Sequence, residues 1–225
     1  MFLVVDIGNT NQKASIFDDA GRMDDFFQSV RLEKSLINNI LERYSIQCGI
    51  ISSVGQQDDE LVQWLSEKVS MLTFSAALRL PIGIQYLTSS TLGSDRLANA
   101  IGANDLFPGR NVLAIQLGTC LVCDFVSSEN QYVGGSIAPG MRMRFEALHQ
   151  HTAHLPNITP RNIDFIVGRT TEESILSGVV NGMAAEIDGL INRYRMQYEN
   201  VQVVVTGGDL YFLQSFIKNR IFAAP

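Results

Sequence analysis

The chain is short of the features that mark secreted, membrane-spanning and nucleic-acid-binding proteins. Its 225 residues include three cysteines, a small and odd set. Basic residues are outnumbered, 17 Lys and Arg against 23 Asp and Glu, which gives a net charge of −6 and a pI near 5.0. That balance argues against a nucleic-acid polyanion as the main partner. No apolar run approaches the ~20 residues that cross a bilayer, and the opening Met1-Phe2-Leu3-Val4-Val5-Asp6 is too short for a signal peptide. The chain is therefore expected to work in the cytoplasm, with no membrane partner. Two nucleotide motifs are missing as well. Without Gly-x-x-x-x-Gly-Lys-[Ser/Thr] there is no P-loop, and without Gly-x-Gly-x-x-Gly nothing supports a dinucleotide fold. What remains is an ordinary globular composition, 46% hydrophobic and 18% charged, with a length that suits one or two domains.

Against that background, Asp6-Ile7-Gly8-Asn9-Thr10 stands out. It follows the apolar run Phe2-Leu3-Val4-Val5, so a buried strand delivers a carboxylate and then a Gly-Asn-Thr turn. The glycine lets backbone approach a phosphate, and free N–H groups of the turn can point at its oxygens. Asp6 does not attract a polyanion by itself; its sensible role is to hold Mg²⁺, through water, against the phosphates. The chain nearly repeats this pattern, since Val112-Leu113-Ala114-Ile115-Gln116-Leu117-Gly118-Thr119 again runs from an apolar strand through a polar residue to x-Gly-Thr.

Further strands are expected at 13–17, 49–54, 121–126 and 201–205, with turns at 18–21 and 127–130. Helical spacing appears over 32–44, on Leu36, Ile37, Ile40 and Leu41, and over 58–69, on Leu61, Val62, Leu65 and Val69. Trp64 beside that second stripe reads as packing. Thr170-Thr171-Glu172-Glu173 reads as a capping box opening a long helix whose buried face is Ile175, Val179, Met183, Ile187 and Ile191. Two copies of strand, turn, strand and helix, about 110 residues apart, point to a duplicated α/β fold. With no linker rich in Pro, Gly or Ser, the halves are expected at 1–107 and 108–225, in one body with a cleft between them.

Three Gly-centred turns then end apolar strands, at 6–10, 116–119 and 206–208. In this order they resemble the nucleotide cleft of the actin, Hsp70 and sugar-kinase superfamily. That resemblance implies duplicated actin-like (ribonuclease H-like) halves, with phosphates at the first two turns and adenosine at the third.

Gly93-Ser94-Asp95-Arg96 opens another helical stretch. Read blandly, Asp95 caps the helix and Arg96 is a surface charge. Read functionally, Asp95 accepts a proton from a substrate hydroxyl and Arg96 forks onto a carboxylate. Phosphoryl transfer asks little covalent help of a protein, so positioning and charge neutralisation dominate. The other candidates have bland readings too. Cys120 and Cys123, three apart on a strand, point to opposite faces and read as small hydrophobes rather than a redox or zinc pair. His149, His151 and His154 suit loop contacts better than a zinc site. Arg142 and Arg144 read as solvated charges or a phosphate contact. Asp124 either helps Mg²⁺ or pairs with a neighbour, and Asp209 reads as a cap.

The segments 6–13, 92–99, 134–140, 152–156, 168–171 and 206–208 together resemble type III pantothenate kinase, in that family's order. The resemblance implies phosphorylation of pantothenate on its primary hydroxyl by ATP, the first step of coenzyme A biosynthesis. It implies that Asp6, Ile7, Gly8, Asn9, Thr10, Asn11, Gln12 and Lys13 hold the triphosphate and that Thr119 contacts ATP. Asp95 is then the proton acceptor, with Gly93, Ser94, Arg96, Tyr86 and Thr171 on pantothenate. A homodimer with a pocket shared between subunits is implied, together with Mg²⁺ and a monovalent cation, K⁺ or NH₄⁺.

The sequence departs from the family at three places. Gln116 stands where the family has an Asp associated with the monovalent cation, so K⁺ is expected to bind more weakly or elsewhere. Ser89 replaces a common Pro, and the end at 221–225 is earlier than the family's, as if a final strand or helix were missing. Two rival readings stay open: another small-molecule kinase of the superfamily, and a non-catalytic ATP-binding regulator.

Overall fold

A computed structural model describes residues 1–8, 10–53 and 59–224. Packing divides the chain into two units, Met1–Leu80 with Thr88–Ala98, and Pro81–Leu87 with Asn99–Pro225. The turn at 107–110, expected as a boundary, lies inside the second unit.

The first unit is built on β1 (Phe2–Ile7), β2 (Gln12–Phe17), β3 (Met23–Ser29), β4 (Cys48–Ser53) and β5 (Ser70–Thr73), in the order β3-β2-β1-β4-β5. β1 and β2 pair antiparallel, as do β2 and β3, whereas β4 runs parallel to β1 and β5 parallel to β4. β1 alternates, with Leu3, Val5 and Ile7 buried on one face. These pack with Ile37 and Ile40 of α1 (Lys34–Arg43) and Leu61 and Leu65 of α2 (Asp59–Lys68). Residue 58, expected to start α2, lies outside the described residues. Trp64 joins this cluster, as expected of a packing residue.

The second unit repeats the plan. β7 (Val112–Leu117), β8 (Cys120–Val126), β9 (Gln131–Pro139), β10 (Gln202–Thr206) and β11 (Phe222–Ala223) take the order β9-β8-β7-β10-β11, and β6 (Gly83–Ile84) adds to β9. Again the first three strands pair antiparallel and the last two join in parallel. The same order and the same directions in both sheets are the structural form of the duplication read from the sequence.

Val112 to Ile115 are all buried, as a central strand covered on both faces requires. One face meets α4 (Met141–Gln150) and α5 (Thr171–Gln197), where Ile175, Val179, Met183, Ile187 and Ile191 enter the core. α5 is long and apolar enough by length and composition to cross a membrane, but half of that stretch is buried inside the protein, as in a core helix. α3 (Ser94–Leu106) begins in the first unit and ends in the second, and α6 (Leu210–Leu213) closes the turn after β10.

Candidate active site

In the first unit, the central strand β1 carries Asp6 near its C-terminal end, beside Lys13 of β2. The two are cross-strand partners, and Lys13 Nζ lies 3.9 Å from Asp6 Oδ2. The turn between them is closed by Gly8 N–H donating to the Asn11 carbonyl at 3.2 Å. Burial raises the Asp6 carboxyl above its usual range; the negative charge of Asp95 pushes the same way, and Lys13 opposes both. Asp6 and Asp95 are therefore electrostatic neighbours. Asn9 lies outside the described residues. Ile7 is buried in the core, so it offers a phosphate only backbone. Gln12 turns to the core face as well, where its Oε1 accepts the Leu32 N–H at 2.7 Å.

Asp95 arrives from α3. Ser94 is the first helical residue and Asp95 sits in the first turn, close to the positive end of the helix dipole. Its Oδ1 accepts the Arg96 N–H at 2.8 Å. Gly93 leaves that oxygen room, since a Cβ there would lie 2.6 Å from it. The Ser94 and Ser52 hydroxyls are 2.9 Å apart, and Ser52 is the residue of β4 that pairs with Asp6. Arg96 is 7% exposed, which corrects its reading as a surface charge.

In the second unit, Gln116 is half-buried near the end of β7, between Thr206 and Val122 on the flanking strands. Thr119 is exposed in the turn that follows, and its carbonyl accepts the Gly140 N–H at 3.1 Å. The third turn packs onto the same strand end, with Asp209 N–H donating to the Leu117 carbonyl at 3.0 Å. This closeness needs Gly207. Its φ is +104°, and a Cβ would overlap the Leu117 carbonyl oxygen. Asp209 occupies the cap position of α6 but makes no side-chain cap bond, so the reading of it as a cap holds for its place alone. Burial raises its carboxyl, and Arg142 opposes the rise.

Tyr86 follows β6. Its ring meets Tyr132 edge-on at 5.9 Å and lies over Gly134, whose φ of +131° disfavours any side chain. Asp124 is 2% exposed and accepts the Tyr132 hydroxyl at 2.7 Å, which decides for a pairing with a neighbour. Arg144 is held by Glu186 at 2.6 Å and by the Pro139 carbonyl, so it is not simply solvated. His149 Nδ1 donates to the Leu155 carbonyl at 2.8 Å, a loop contact. Burial pushes the Cys123 thiol up to about 12, helped by the charges of Asp124 and Glu186 against a Ser136 hydrogen bond. A thiol so buried and protonated suits packing. Thr170 caps α5 by accepting the Glu173 N–H at 3.1 Å, while Glu173 reaches back to the Arg169 N–H. Thr171 is thus left exposed at the start of the helix.

The sequence alone does not single out Ser52 or name Tyr132 as the partner of Asp124, whereas Gly140 belongs to the 134–140 segment that carries the resemblance. A Tyr and an Asp on facing strands of one hairpin were the available signal for the pair; nothing local marked Ser52.

Two sheets of the same strand order and the same directions, each with a turn after its first strand, give this chain the actin-like ATPase fold. A ROK family glucokinase from Streptomyces griseus, in complex with glucose and AMPPNP, shares this fold at TM-score 0.51 and 13% identity, over 98% of this chain and 93% of that one. A conserved Baf family transcriptional activator from Campylobacter jejuni does so at TM-score 0.58 and 20% identity, over 98% and 90%. The sequence profile described as type III pantothenate kinase matches residues 2–193. Relatives of that name are 39% identical in Flavobacterium johnsoniae and 40% identical in Flavobacterium psychrophilum, over 99% of this chain and 92% and 93% of theirs. This chain belongs to the type III pantothenate kinase family.

Proposed function

We propose that this chain transfers the γ-phosphoryl group of ATP to the primary hydroxyl of pantothenate, the first step of coenzyme A biosynthesis. Family membership supports the substrate pair, and one observation carries the chemistry. Asp6 and Asp95, from a strand end and a helix start, lie close enough for the charge of one to perturb the other. Asp95 accepts the hydroxyl proton as the oxygen attacks in line. Residues 6–13 and Thr119 hold the triphosphate, and Lys13 neutralises part of its charge. Gly93, Ser94, Arg96, Tyr86 and Thr171 hold pantothenate, with the Arg96 guanidinium on its carboxylate.

The Asp6 side chain is 37% exposed, and the charges of Asp95 and Lys13 act on it in opposite directions. A partly exposed carboxylate after a strand end fits Mg²⁺ held through water at Asp6, where it would neutralise charge on the phosphates. Among the described residues, no three His, Cys, Asp or Glu side chains gather as a ligand set, in keeping with a metal held mostly by phosphate and water. At the monovalent-cation position, Gln116 offers a carbonyl oxygen that can ligate K⁺ or NH₄⁺ but brings no charge, so the cation binds more weakly there than at a carboxylate, or elsewhere. Exposed Ile137, Ile166 and Val167, the last two near Thr171, support a homodimer in which a neighbouring subunit completes the pantothenate pocket. ATP supply favours the cytoplasm. A non-catalytic regulator is the second reading, and Gln116 alone favours it.

A panel of acceptor alcohols, with products read by mass, tests the proposal. Pantothenate should give 4'-phosphopantothenate and ADP in equal amounts. Equal or better turnover of sugars would move the chain to another kinase class, and ATP binding without ADP release would favour the regulator.

A further inference from the structure

Tyr132 is the bulkiest wholly buried side chain among the described residues, and its partner is a buried carboxylate. Burying a phenol and a carboxylate together costs desolvation that an apolar pair would avoid, so the pair calls for a role. Its geometry suggests one. β8 and β9 pair Asp124 with Gly135 and Val126 with Tyr132, and a register shift between Phe125 and Val126 brings Tyr132 onto the face of Asp124. The 2.7 Å hydrogen bond then fixes the Tyr132 ring. That residue also accepts the Gln85 N–H on its carbonyl at 2.9 Å, one residue before Tyr86. Tyr132 therefore holds this segment at two points, the Gln85 backbone through its carbonyl and the Tyr86 ring through its own ring. Gly134 supplies the remaining wall, 3.2 Å from Tyr86 Cδ2 to where a Cβ would stand. Tyr86 itself is half-buried.

We infer that Tyr132 and Asp124 form a positioning pair that presets Tyr86 for the acceptor substrate. The inference rests on the proposal that Tyr86 contacts pantothenate. A ring set before binding spares the substrate the cost of ordering it, so loss of the pair weakens acceptor binding rather than chemistry. Tyr132→Phe keeps the ring and removes the hydroxyl.

Steady-state kinetics on wild type, Tyr132→Phe, Tyr86→Ala and the double variant test this, with thermal melts alongside. Tyr132→Phe is expected to raise the pantothenate KM about tenfold, worth about 1.4 kcal/mol, with kcat and the ATP KM within about twofold. In the Tyr86→Ala background the same change should add nothing. An equal rise in both backgrounds, or an unchanged pantothenate KM in folded Tyr132→Phe, overturns the inference. If Tyr86→Ala itself leaves the pantothenate KM at wild type, the assignment of Tyr86 has failed instead, and the inference falls with it. Asp124→Asn serves if Tyr132→Phe does not fold, because its neutral amide oxygen accepts the phenol more weakly than the carboxylate does while leaving no hydroxyl unpaired. It should raise the same KM by at least about threefold, and a fall in kcat alone would count against the pair.

Discussion

The hydroxyls of Ser52 and Ser94 lie 2.9 Å apart, joining the strand beside Asp6 to the helix that presents Asp95. One hydrogen bond thus ties the strand next to the phosphate turn to the start of the helix that bears the proposed base. Ser52→Ala should lower stability by about 1 kcal/mol. It should also cut kcat about tenfold while leaving the ATP KM nearly unchanged, because the helix start loses its tether. Urea melts and initial rates on the same preparation check both. A stability loss with kcat intact would make the bond purely structural.

Lys13 opposes the burial that raises the Asp6 carboxyl, and the charge of Asp95 adds to that rise. Lys13→Met should therefore move the acid limb of the pH profile for kcat/KM on ATP to higher pH, and Asp95→Asn should move the Asp6 ionisation to lower pH. The stability sign follows. A carboxyl raised in the folded state binds its proton more tightly there, so stability drops as pH rises from the unfolded to the folded pKa, and Lys13→Met widens that window. An acid limb that stays in place would detach Lys13 from Asp6.

Gln116 brings no charge to the expected cation position. Wild type should respond little to K⁺ at fixed Mg²⁺, and Gln116→Asp should gain a response of about fivefold or more, the value of one added charge in a half-buried site. Rates across a K⁺ series replacing Na⁺ at constant ionic strength give the answer. A strong K⁺ response in wild type would show that a neutral oxygen suffices.

The parts of the fold that were legible in sequence are those where burial imposes a pattern. β1 and β7 stand out as apolar runs, and α5 shows its buried stripe, because each packs against a core along its whole length. β3 was missed because Met23–Ser29 is an edge strand where Met23 and Phe26 are exposed while Asp25 and Ser29 take less exposed positions, so its apolar residues do not all follow its alternating burial. β5 and β6 are too short to show a period, and the glycines of β9 resemble a loop. At the site, Asp6, Lys13 and Asp95 were visible because each sits in a local motif. Ser52 and Tyr132 act through partners 42 and 8 residues away, and such pairings are written in the sheet register and not in any one segment. Gln12 shows the opposite limit, a motif residue whose side chain is committed to the Leu32 backbone.

The proposed role of Asp95 is to take the proton of the pantothenate hydroxyl. A coupled ADP assay with saturating ATP, Mg²⁺ and pantothenate, run on wild type and Asp95→Ala, isolates that step. Wild type should release ADP in a pantothenate-dependent way, and the variant should lose about 10²–10⁴ in kcat while still binding nucleotide. Equal turnover by the two proteins would mean that Asp95 is not the base.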